Sequence, residues 1–145
     1  AADLIEYGFD FPDIIDETFY EKTYTQNQLL GRALLESIVF MGGRCIVSVI
    51  DKKTLDFYNA TSKDLDGIVN QLRVTKGVEC AVFMYETGNL EYKVSLRSCK
   101  YVDVSKVAAY FGGGGHVRAA GCNMNGTFYD VINNISKQIE LQMLE

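Results

Sequence analysis

Phe111-Gly112-Gly113-Gly114-Gly115-His116-Val117-Arg118-Ala119-Ala120-Gly121 is the stretch around which the chain is organised. Four consecutive glycines weaken any helix or strand, because each loses more backbone freedom on folding than another residue would. What the run offers is backbone N–H groups that no Cβ shields, and successive exposed amides form a nest suited to an anion. His116 and Arg118 follow at once, a titratable donor and a permanent cation with a planar fork for phosphate oxygens. Glycine runs are more often plain loops. Here the flanks are the apolar pair Tyr110-Phe111 and the small pair Ala119-Ala120, so the run reads as an ordered phosphate- or nucleotide-binding loop.

Working upstream, Leu90 to Ser98 alternates: Tyr92, Val94 and Leu96 are apolar, and Lys93, Ser95 and Arg97 share the opposite face. Val78 to Glu86 is a second strand, with a hairpin signal at Thr87-Gly88-Asn89. Arg44 to Ile50 is a β-rich run. Thr54 to Ala60 reads as a short helix, and Thr61 or Ser62 caps another that carries Leu65, Ile68, Val69 and Leu72. Val104 to Phe111 is a helix leading into the glycine loop, Ala119 to Met124 adds an edge strand, and a last helix starts at Thr127. At the N-terminus, Ala1 to Tyr7 reads as a helix tail. A helix begins at Pro12, and a longer one runs from about Thr25 through Leu29, Ala33 and Ile38 to Met41-Gly42-Gly43. The expected fold is α/β, a mixed and largely antiparallel sheet with packed helices. Residues 1–41 are expected to be a helical connector and residues 42–145 the binding domain. The connector's apolar face is left to join a preceding domain or to pair with a second copy.

The 145 residues are 48% hydrophobic with a net charge of −5, enough for one core but unlike a general nucleic-acid binder, which needs a basic face. A local cationic pocket on an acidic protein favours small anionic ligands. Cys45, Cys80, Cys99 and Cys122 stand singly without C-x-x-C spacing. They are expected to be reduced core residues of a cytoplasmic protein, with no metal site. No apolar run approaches the roughly 20 residues needed to cross a bilayer, so no membrane partner is expected.

GGGGHVRAAG resembles the signature of the DHH-associated domain, the C-terminal half of DHH-family phosphoesterases. The likeness continues through Ser95-Leu96-Arg97-Ser98 and Leu65-Asp66-Gly67-Ile68-Val69-Asn70. Arg118 followed by Ala-Ala-Gly is most similar to the nano-RNase/pAp-phosphatase branch, and cyclic-dinucleotide phosphodiesterases of the family fit less well. The resemblance implies a substrate-binding domain for short RNA or a nucleotide bisphosphate. Arg97, Gly113, Gly114, Gly115, His116 and Arg118 would grip phosphate, with Ser95 and Ser98 as neutral donors and His116 able to stabilise a transition state. It also implies a partner N-terminal DHH domain carrying two divalent metals, manganese by family habit, because one histidine cannot build such a centre. By itself this stretch of chain is expected to bind weakly and not to turn over. From position alone, Arg97 is equally well a surface arginine paired with a carboxylate. Asp64 and Asp66 read as helix-surface charge, Lys100 and Lys106 as background potential, and Tyr58, Tyr110 and Phe111 as stacking candidates that serve equally as core. The alternatives are a cyclic-dinucleotide phosphodiesterase or a non-catalytic nucleotide-binding or dimerisation module.

Overall fold

A computed structural model describes residues 21–144; the helices expected over residues 1–20 lie outside them. Six strands form one sheet in the order β1-β2-β3-β4-β6-β5. They are β1 (Ile38–Phe40), β2 (Cys45–Ile50), β3 (Cys80–Gly88), β4 (Glu91–Ser98), β5 (Gly114–His116) and β6 (Ala119–Asn125). The β2–β3 pair is parallel and the other four pairings are antiparallel, so the expected mixed, largely antiparallel α/β architecture is present.

Two helical layers sandwich the sheet. α1 (Tyr24–Leu35), α2 (Lys52–Phe57) and α3 (Ile68–Arg73) lie on one face, where Leu29, Leu55, Ile68 and Leu72 pack with Ile46, Ala81 and Phe83. α4 (Val104–Tyr110) and α5 (Phe128–Met143) cover the other face, where Val107, Val131, Ile135 and Ile139 bury Val82, Val94, Leu96 and Cys122. All four cysteines are free, and Cys45, Cys80 and Cys122 are buried. No helix among the described residues is long and apolar enough to cross a membrane.

Local chemistry sets the boundaries. Thr23, Asp51, Asp103 and Thr127 each cap a helix through a side-chain oxygen that accepts from backbone N–H groups, filling donors that the first turn leaves open. Three expectations are corrected. Ile38 sits at helical spacing from Leu34, yet α1 stops at Leu35. Ile38-Val39-Phe40 instead hairpins onto β2 through Met41, Gly42 and Gly43, all at positive φ. The helix expected after Thr61 is two pieces, a 3₁₀ turn at Ser62–Leu65 and then α3, broken at Gly67, whose φ is +91°. Ala119 to Met124 is not an edge: β6 runs between β4 and β5, and the glycine run itself supplies the edge strand.

Candidate functional site

Pairing register places the candidate residues in rows across one face of the sheet. Ala81, Arg97, Ala119 and His116 are successive partners, and so are Phe83, Ser95, Gly121 and Gly114; Tyr85, Lys93 and Asn123 form a third row. Paired residues project to the same side of a sheet. Over β2 and β3 that side is sealed by α1 to α3, and over β4, β6 and β5 it is open among the described residues. Small residues, Ala119, Gly121 and Gly114, form the floor of the open part. Arg97 and His116 stand two strands apart across it, on the order of 10 Å at the usual strand spacing.

A groove of about 260 Å³ lies between β4 and the segment that joins the 3₁₀ turn to α3. Its walls include Ser62, Asp66, Phe83, Lys93, Ser95 and Arg97. Arg97 is half-buried, its Nη1 donates to the Leu96 carbonyl at 3.0 Å, and no carboxylate pairs with it; the ion pairs among the described residues are Arg32–Glu36 and Lys52–Asp56. Burial first, and then the like charge of Arg73, pull Arg97 below its ordinary pKa. A guanidinium stays protonated at accessible pH even so, so what remains is a desolvated cation without a counter-charge.

The glycines divide by role. At Gly113 a Cβ would collide with the Gly121 carbonyl and lie 2.6 Å from the Cys122 Cβ. At Gly115, with φ of +148°, it would lie 2.6 Å from the Ala119 carbonyl and the Ala120 Cα. Both are glycine because β5 lies tight on β6. The Gly113 amide donates to the Ala108 carbonyl at 2.8 Å, so one of the three amides expected for an anion is already occupied. A Cβ on Gly114 would meet nothing, so packing does not require glycine there.

Two expected donors belong to the scaffold instead. Ser98 is only 2% exposed, and its hydroxyl donates to the Val102 carbonyl at 2.6 Å, which removes it from any ligand. Arg118 directs Nη1 to the Val102 carbonyl at 2.6 Å and to Ser98 Oγ, and Nη2 to the Lys100 carbonyl. Three of its five donors are taken by the protein, and it ties the β5–β6 turn to the 99–103 loop. Asp64 accepts from the Thr61 amide at 2.9 Å, the capping role of a surface carboxylate, whereas Asp66 lines the groove. Tyr58 and Phe111 pack against the cores and Tyr110 is exposed.

Glu79 was not anticipated. It is 6% exposed, and its carboxylate accepts from the amides of Lys100, Tyr101 and Val102 at 2.7 to 3.2 Å. Those residues present the carbonyls that hold Arg118, so Glu79 anchors the hairpin bearing His116 at one remove. The available signal was a lone acid in the otherwise apolar run Val78-Glu79-Cys80. Among the described residues no three His, Cys, Asp or Glu side chains converge as metal ligands.

Residues 42–145 match the DHHA1 domain family; the chain belongs to that family. Its sequence is 29% identical over 131 residues to the bifunctional oligoribonuclease and PAP phosphatase NrnA of Thermus thermophilus, spanning 90% of this chain and 38% of that protein. Oligoribonuclease NrnB of Bacillus subtilis is 45% identical over 40 residues, 27% of this chain and 10% of that protein. An exopolyphosphatase-related protein from Bacteroides fragilis has the same fold, with a TM-score of 0.81 at 24% identity, covering 92% of this chain and 39% of that one. The chain spans about two fifths of the length of the Thermus thermophilus and Bacteroides fragilis proteins.

Proposed function

We propose that this domain holds the substrate of a DHH-family phosphoesterase that hydrolyses short oligoribonucleotides, adenosine 3′,5′-bisphosphate, or both. The single observation that carries the reading is Arg97: half-buried, unpaired with any carboxylate among the described residues, and in one cross-strand row with His116 over a floor of small residues. Such a cation is best satisfied by a ligand phosphate, through charge-assisted bonds that a planar fork makes two at a time. Lys93 and Ser95 extend the polar wall along β4, and His116 donates from the opposite edge. The 29% identical oligoribonuclease and PAP phosphatase points to the same ligand class. The divalent metals that activate water in such chemistry belong, in this reading, to a DHH domain outside the described residues, and what this domain does is bind and orient.

Calorimetric titration with adenosine 3′,5′-bisphosphate and with a diribonucleotide tests the reading. Arg97→Ala and His116→Ala should each weaken binding by about 1.5–3 kcal/mol, the usual worth of a hydrogen bond to a charged group. Binding that neither substitution changes would place the ligand elsewhere and overturn the assignment.

A further inference from the structure

Beyond the end of β4, on the other side of Arg97 from the groove, lies a second cavity of about 330 Å³. Asn70, Arg73, Arg97, Arg118 and Ala119 line it. Asn70 and Arg73 are three residues apart on α3 and therefore share a face, while Val69 and Leu72 point into the core. The Arg73 guanidinium has no hydrogen-bond or ion-pair partner among the described residues, and no carboxylate lines the cavity. Arg118 spends three of its five donors on two carbonyls and Ser98 and contributes mainly charge. Three guanidinium groups thus surround one basin, and Arg73 and Arg97 keep most of their donors unfilled. Holding like charges together without a counter-ion is unfavourable, and the Arg73 charge is felt at Arg97. A dianionic oxygen cluster relieves this in a way that water cannot.

We propose that this basin is a second anion subsite, in which Arg73 and Asn70 take a second phosphate of a nucleotide whose first phosphate lies in the groove by Lys93, Ser95 and Arg97. Arg97 forms the wall common to both basins, so the ligand straddles it. The ligand class is then a nucleotide with two phosphate groups rather than a mononucleotide. This rests on the phosphoester reading above and narrows it.

The test compares adenosine 3′,5′-bisphosphate with adenosine 5′-monophosphate by calorimetry on this chain, its Arg73→Ala and Arg73→Lys variants, and Arg97→Ala. Arg73→Ala should weaken the bisphosphate about tenfold or more and leave the monophosphate within about twofold. Arg73→Lys should fall between, and it serves alone if the alanine variant does not fold. Equal loss for both ligands, or none for either, overturns the subsite while a loss at Arg97→Ala keeps the broader reading. If Arg97→Ala changes neither ligand, or neither binds, the broader reading fails. The subsite is then judged by the Arg73 Nε–Hε nuclear magnetic resonance signal under titration with inorganic phosphate: a saturable shift supports it and an unmoved signal overturns it.

Discussion

The face that carries the site is two surfaces in one. Over β2 and β3 it is apolar and roofed by α1, α2 and α3, with Leu29 and Leu72 fully buried above Ile46, Ala81 and Phe83. On the next strand along the same rows, Ala81 gives way to Arg97 and Phe83 to Ser95, and the roof ends. The opposite face changes far less, since α4 and α5 cover Val82, Val94 and Cys122 alike. One side of the sheet is thus spent on stability from β2 to β6, and on the other the roofed half serves stability and the open half the proposed recognition. A groove forms where the roof stops, because α3 and the Asp66-Gly67 break supply its second wall.

Substitutions separate the two surfaces, and the largest effect belongs to the roofed half. Leu72→Ala removes a fully buried side chain and should cost about 2–5 kcal/mol in urea denaturation, whereas Lys93→Ala on the same face should stay within about 0.5 kcal/mol. An equal loss at both would erase the distinction. Next is Gly113→Ala, whose Cβ has no room against Gly121 and Cys122; a loss of about 1–3 kcal/mol is expected, as for other overpacked sites. A smaller effect belongs to Asp103, which caps α4 beneath the open strands. The Ser105 hydroxyl foremost, with the amides of Lys106 and Ser105, holds its carboxyl below the usual range. A depressed folded-state pKa contributes stability that is present above the unfolded value, about 3.9, and is lost as pH falls through the folded one. Asp103→Asn should therefore lower the melting temperature slightly at pH 7, and the two proteins should converge in acid. Smallest of all is Gly114→Ala, where the Cβ meets open space. Stability should change by less than about 0.5 kcal/mol, while nucleotide binding weakens because a methyl group now stands on the floor of the site.

Legibility followed the same division. Strands β3 and β4, the face of Arg97 and the Thr127 cap were readable because alternation and capping are local rules. Ile38 misled because its four-residue spacing from Leu34 fits a helix, and only pairing with Val47 makes it a strand. Gly114 to His116 misled in reverse: glycine disfavours strands, and the closeness of β6 is a tertiary fact. At the site, alternation puts Arg97 on the polar face and the family resemblance makes it a candidate, but neither marks Arg73, whose neighbour in the basin is 24 positions away in sequence. The resemblance makes Arg118 and Ser98 ligand donors, and nothing in the sequence opposes that, because the acceptors they meet are backbone carbonyls, whose positions no residue type announces.

The Glu79 anchor has a consequence for binding thermodynamics. The carboxylate fixes residues 100–102, their carbonyls fix Arg118, and the Arg118 carbonyl accepts from the Ser98 amide at 3.1 Å. The hairpin that ends in His116 is thereby ordered before any ligand arrives. Much of the entropy of arranging the recognition surface is lost when the chain folds, so less remains to be lost on association. A small nucleotide, which offers few contacts with which to organise a loop, is the kind of ligand that gains most from a surface already in place.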